Sequence, residues 1–83
     1  MPANVRDSDL KYLRALVVNP DPVSTATEIA DAADVTPQAA NSKLTNLQDR
    51  GLADSKKVGG AARAWWITKD GREAYFEALD EPI

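Results

Sequence analysis

Neither cysteine nor histidine occurs among the 83 residues. Without thiols the chain has no disulfide and no thiolate metal site. Without imidazole it lacks the commonest general base and the commonest metal ligand. The carboxylates offer no substitute. Asp31 and Asp34 lie in or beside a turn, and Asp7 and Asp9 flank a helix start, where anions suit the helix dipole. No glycine-rich phosphate loop stands near them, so neither catalysis nor a bound metal or cofactor is expected. Aromatic residues make up only 6% of the chain, which leaves the core to Ala, Leu and Val. There is no long apolar run and the N-terminus is polar. A signal peptide and a membrane span are therefore not expected, and the cytoplasm is the expected location. The length suits one small domain, whose limited burial a dimer interface would supplement.

A surplus of positive charge is missing too. The net charge of −3 argues against a nucleic-acid partner until its distribution is considered. Residues 1–35 carry three cations and six carboxylates, a net of −3, and residues 73–83 carry −4. Between them, residues 36–72 carry seven cations against three carboxylates, a net of +4. A cationic strip thus lies on an acidic body. Asp outnumbers Glu and there are only five Lys, a composition that fits a salt-rich, halophilic cytoplasm.

Residues 1–6 read as a flexible arm, 7–80 as the domain and 81–83 as a tail. Asp7 or Ser8 is placed to cap a first helix reaching about Val18, with Leu10, Leu13 and Val17 at helical spacing and Leu16 beside them. Asn19-Pro20-Asp21-Pro22 stops it. Thr25 and Glu28 have capping-box spacing and open a second helix, which turns inward Ile29, Ala30 and Ala33. After the turn at Ala33-Asp34-Val35, Thr36 is a cap and Pro37 a first helical residue, and Gly51 suits a left-handed C-cap. Between them Ala40, Leu44 and Leu47 form one apolar stripe. The opposite side holds Gln38, Ser42, Thr45 and Asn46, flanked by Asn41 and Lys43. These short hydrogen-bonding side chains differ from the Glu/Lys mixture of an ordinary solvated helix.

A strand over about 52–58, a turn at Gly59-Gly60-Ala61-Ala62 and a returning strand over 63–67 follow. Trp65 and Ile67 share one face, assigned to the interior, and Ala64, Trp66 and Thr68 share the other. Thr68 is placed to cap a last helix over about 69–79, with Ala74, Ala78 and Leu79 on its apolar side. The expected class is α+β, mainly α: three helices, a two-stranded β-hairpin wing and a C-terminal helix, a winged helix-turn-helix.

The run from Thr27 to Leu52, TEIADAADVTPQAANSKLTNLQDRGL, and the later WWITKDGREA resemble winged-helix transcriptional regulators of the MarR/ArsR-like kind. Small haloarchaeal phage-repressor-like proteins look most similar. The resemblance covers about 7–80 and rests on L-x-x-L-x-x-x-G-L with I-T-x-x-G-R. It implies a regulator of transcription, usually a repressor acting as a homodimer on double-stranded DNA. The metal-binding cysteines and histidines of ArsR-type sensors are missing, so metal sensing is not implied. The long extra helices that full MarR proteins use for dimerisation and ligand pockets also have no counterpart here.

In such an arrangement helix 36–50 enters the major groove. Its candidate DNA contacts are Thr36, Gln38, Ala39, Asn41, Ser42, Lys43, Thr45 and Asn46. Gln38 and Asn41 suit bidentate contact with adenine, and Ala39 suits a thymine methyl. The wing over 56–63 adds Lys56, Lys57 and Arg63 for the minor groove or backbone. Those charges can equally serve to protect an exposed hairpin edge. Arg50 and Arg72 have Asp49 and Glu73 as alternative partners. Trp65 reads as core rather than a stacking platform. Tyr12, Trp66, Tyr75, Phe76 and Leu79 are the candidate dimer interface. The competing function is a winged-helix module that docks on protein and leaves DNA alone.

Overall fold

The computed structural model describes residues 5–20, 23–60 and 62–80. Most of the expected arm, the Asp21-Pro22 pair, Ala61 of the hairpin turn and the tail at 81–83 lie outside the described residues. The order is α1 (Asp7–Val18), α2 (Ala26–Ala33), α3 (Pro37–Asp49), β1 (Ala53–Gly59), β2 (Ala62–Ile67) and α4 (Lys69–Asp80). This is the winged-helix arrangement expected from the sequence.

Helix α1 begins one residue earlier than expected at its cap. Arg6 occupies the N-cap, and Asp9 accepts a hydrogen bond from the Arg6 amide at 3.0 Å. Its buried face is Asp9, Tyr12, Leu13, Ala15 and Leu16, while Leu10 and Val17 only flank the core. The apolar stripe is therefore rotated from the one that leucine and valine spacing alone suggests. Tyr12 fills the space because its ring is largely apolar.

Helix α2 starts with the expected capping box. Thr25 Oγ1 accepts from the Glu28 amide at 3.2 Å, and Glu28 accepts from the Thr25 amide at 2.8 Å. It ends where Asp34 adopts a left-handed conformation, φ 58°, and the chain turns into α3. The α2 and α3 helices touch more extensively than any other helix pair, and their buried residues are the small Ala30, Ala33 and Ala40 and the larger Ile29, Leu44 and Leu47.

The hairpin pairs β1 antiparallel to β2, with Ala53 opposite Ile67, Ser55 opposite Trp65 and Lys57 opposite Arg63. The register breaks between Lys57 and Gly59, leaving a bulge beside the turn. A contact not expected from the sequence closes the other edge of β2. Ser24 and Trp65 exchange backbone hydrogen bonds of 2.9 and 2.7 Å, which ties the loop before α2 to the sheet. The Asn19 side-chain amide donates to the Ser24 hydroxyl beneath it.

Trp65 is buried at the centre, as expected, and Ile67 packs at the edge of the core. Thr68 does cap α4, accepting from the Gly71 amide at 3.0 Å. Its hydroxyl also donates to the Gly51 carbonyl at 2.7 Å, joining the end of α3 to the start of α4. Gly71 fits there for a steric reason: a Cβ would lie 1.9 Å from the Leu52 carbonyl oxygen. The inward side of α4 is Gly71, Ala74 and Tyr75, with Ala78 half-buried and Leu79 exposed, so Tyr75 takes the place expected for Leu79. No helix among the described residues is long and apolar enough to cross a membrane.

Candidate nucleic-acid interface

The centre of the site is α3, and its two ends are fixed locally. Thr36 Oγ1 accepts from the Ala39 amide at 3.1 Å, and Pro37 begins the helix. At the far end Gly51 has φ 78°. The Gly51 amide donates to the Gln48 carbonyl at 3.0 Å and the Leu52 amide to the Leu47 carbonyl at 2.9 Å. That is a Schellman closure, and the buried Leu47 and Leu52 supply its hydrophobic contact. Ala40, Leu44 and Leu47 are wholly buried, so the stripe read from the sequence holds the helix to the core.

The other side of the helix is open to solvent. Thr36, Gln38, Ala39, Asn41, Ser42, Thr45 and Asn46 are all exposed. Among the described residues, the side chains of Gln38, Asn41 and Ser42 make no hydrogen bond. Three of the others are partly engaged. Thr36 is occupied as the cap, and the Thr45 hydroxyl donates to the Asn41 carbonyl at 2.9 Å. Asn46 accepts from Arg50 Nη1 at 2.8 Å.

Lys43 is placed differently from the rest of the candidate set. Its Nζ lies 2.8 Å from Oδ1 of Asp9, a carboxylate only 1% exposed. Arg50 goes to the same group: Nη2 lies 3.0 Å from Oδ2, so the carboxylate it meets is Asp9, where the sequence offered Asp49 as the alternative to DNA. In the sequence Asp9 carries only the signal of a helix-start anion. Burial by itself would push the Asp9 carboxyl up. The hydrogen bonds from Arg50, Lys43 and the Arg6 amide outweigh it and hold the group well below the usual carboxylate range. A buried charge with three donors is satisfied on both oxygens.

The wing continues the same surface. Side chains directly opposite on paired strands share a face, so Lys57 and Arg63 lie together on the side of Ser55 and Trp65, and Lys56 lies on the other side with Ala64. A relay joins this face to α3. Arg63 Nη1 donates to Ser55 Oγ at 2.8 Å, and Ser55 Oγ donates to Gln48 Oε1 at 2.8 Å. Gln48 and Ser55 were absent from the expected site. Neither residue type signals such a role, and only the crossing of α3 with β1 brings them together. Lys56 and Lys57 are exposed and Arg63 is half-buried.

The expected dimer residues divide. Tyr12 and Tyr75 are 5% and 7% exposed within this chain, which assigns them to its own core and removes them from an outer interface. Phe76 and Leu79 are exposed on α4, with the Phe76 ring edge-on to Tyr75 at 5.3 Å. Trp66 is half-buried and lines a groove with Leu16, Val17, Pro20, Val23 and Arg72. Among the described residues no cluster of His, Cys, Asp or Glu is arranged to hold a metal ion.

A family model for MarR-type proteins matches residues 4–64. No curated protein matches the chain in sequence. Solved structures of similar fold include Bordetella bronchiseptica BpsR, whose DNA binding is regulated by 6-hydroxynicotinic acid. It has a TM-score of 0.82 and 15% identity over 92% of this chain and 58% of that one. Staphylococcus aureus MepR, a transcription regulator of the multidrug efflux pump MepA, has a TM-score of 0.80 and 17% identity, over 93% and 57%. Streptococcus pneumoniae FabT, solved in complex with DNA, has a TM-score of 0.75 and 16% identity, over 93% and 54%. The chain therefore spans little more than half the length of the structures it matches.

Proposed function

The chain belongs to the MarR family, and on that premise we propose that it is a sequence-specific DNA-binding regulator of transcription. The observation that carries this reading is the outer row of α3. Gln38, Asn41 and Ser42 are exposed and uncommitted on a helix capped at both ends and fixed to the core. Such a row offers donors and acceptors to base edges in the major groove, with Ala39 beside them for a thymine methyl. Thr36, Thr45 and Asn46 lie at its border, where phosphate oxygens run. Lys56 and Lys57 then supply backbone affinity from the wing. Arg63 keeps donors beyond the one given to Ser55, since a guanidinium has five.

In this reading the protein represses by occupying its promoter. Two copies place their α3 helices about one turn of DNA apart, and Phe76 and Leu79 are the expected interface residues that remain exposed for pairing. The acidic body, with its cations gathered at 36–72, suits a salt-rich cell interior and favours one docking orientation.

The test is titration of the protein against its own upstream DNA and an unrelated duplex across a salt series. Binding that prefers the upstream DNA is expected, and Asn41→Ala should remove about 1–3 kcal/mol of that preference. Equal weak affinity for every duplex would overturn sequence-specific reading. No retention even at low salt would favour a protein-docking module, with Phe76 and Leu79 as its contact residues.

A further inference from the structure

Helix α3 contains one cation, Lys43, and Arg50 follows at its C-cap. Seven residues apart, the two fall on one side of the helix, away from the Gln38 and Asn41 row. Both are drawn onto Asp9 of α1, Lys43 on Oδ1 at 2.8 Å and Arg50 on Oδ2 at 3.0 Å. The two side chains keep 26% and 27% of their surface exposed, so they stand at the edge of the helix and not inside the protein. The carboxylate cancels one of their charges and fixes the direction of both. The rest of the buried residues in the core are, apart from Ser24, hydrophobic or small.

A lysine or arginine released at the margin of a groove-entering helix meets phosphate. Phosphate contacts add affinity for all sequences alike and carry no sequence information. Resting on the DNA-binding reading above, we propose that Asp9 is a specificity-setting residue. It holds Lys43 and Arg50 against α1 and off the DNA backbone. Helix α3 then meets the bases with uncharged side chains, and phosphate affinity is left to Lys56 and Lys57 on the wing. Asp9 touches no DNA itself and acts through the two cations that it restrains.

The experiment compares the unaltered protein, Asp9→Asn, Lys43→Gln and the double variant on upstream and unrelated duplexes across a salt series. Circular dichroism checks the fold of each. Asp9→Asn is expected to bind the unrelated duplex more tightly at low salt. Its plot of log affinity against log salt should steepen by about 0.9 for each released cation. Its preference for the upstream duplex should fall. Lys43→Gln alone should leave the salt slope of the unaltered protein unchanged, yet in the Asp9→Asn background it should flatten the slope by about 0.9. A purely structural role for Asp9 predicts weaker binding with no steeper slope, and that result in a folded variant overturns the proposal. So does a flatter slope for Lys43→Gln alone, which would mean that Lys43 already meets phosphate. If Asp9→Asn does not fold, Lys43→Gln alone still tests the restraint, and a flatter slope overturns it. Failure of the unaltered protein to bind any duplex would overturn the DNA-binding reading, and this proposal with it.

Discussion

Between α2 and α3 the buried residues are Ile29, Ala30 and Ala33 on one side and Ala40 and Leu44 on the other, none of them polar. Between α1 and α3 the chain instead places a buried carboxylate, an ammonium and a guanidinium. The same helix is thus held by two different kinds of force. The apolar contact is non-directional, works through area and close approach, and is indifferent to pH near neutrality. The charged contact is directional and lasts only while Asp9 is ionised. The first sets how close α3 lies to the body of the protein. The second sets where its cations point. In the DNA-binding reading proposed above, α3 needs both, because base contacts depend on where the helix lies and on which of its side chains are free to meet the backbone.

The apolar side should dominate stability. Leu44→Ala empties a wholly buried site and is expected to cost about 3 kcal/mol, measured by denaturant unfolding. A loss below about 1 kcal/mol would show that the α2–α3 contact can collapse around the gap and that the contrast is overstated.

Asp9→Asn tests the other side. It leaves two cations without their carboxylate, but each keeps about a quarter of its surface in solvent. The expected loss is therefore about 2 kcal/mol, below the range for a wholly buried pair. A loss equal to that of Leu44→Ala would make charge, not area, the principal hold on α3.

The same substitution separates the two contacts by their pH dependence. The folded-state value of Asp9 lies well below the usual carboxylate range. Its stabilisation is then fully present above the unfolded value of about 4 and is lost as pH falls from there toward the lower folded value. The stability difference between the unaltered protein and Asp9→Asn should be flat near neutrality and shrink progressively in acid. A difference that persisted unchanged in acid would show that ionisation of Asp9 is not what joins α1 to α3. The Leu44→Ala difference should show no comparable dependence arising from Asp9.

The smallest expected effect belongs to the cap, which neither contact controls. Thr36→Ala removes one hydrogen bond, to the Ala39 amide, and should cost about 1 kcal/mol of stability. Its fraying should be confined to the first turn of α3, detected as faster amide exchange at Ala39 and Ala40, whose amides bond to Thr36, and no change at Leu47. Protection lost along the entire helix would mean that the cap, and not the packing on either side, nucleates it.

Much of this was legible in the residues taken in order. Thr25 with Glu28, Thr36 with Pro37, and Gly51 after Arg50 each mark a helix end through bonds that span a few positions. The Ala40, Leu44 and Leu47 stripe follows from helical period alone. The pairing of Lys43 and Arg50 with Asp9 was not legible, because it spans 34 and 41 residues and depends on how α1 crosses α3. The Gln48–Ser55–Arg63 relay spans only 7 and 8 residues, but it was hidden because it depends on how β1 leaves α3 and on the pairing of β1 with β2. A half-apolar ring suits an interface and a core equally well, and only the folded packing of the helices and the hairpin buries Tyr12 and Tyr75.

By itself, then, the sequence determined that residues 36–50 form a helix, which side of it is apolar, and which side chains are available on the other. Those features depend on hydrogen bonds between near neighbours and on a period of 3.6 residues, and both are written locally. Tertiary structure decided which charged residues remain available to a partner. Asp9 and Arg50 sit at opposite ends of the three-helix segment, and only the folded crossing of α1 and α3 brings them to 3.0 Å. Charge acts across space and not along the chain, so the identity of each cation's partner had to await the fold.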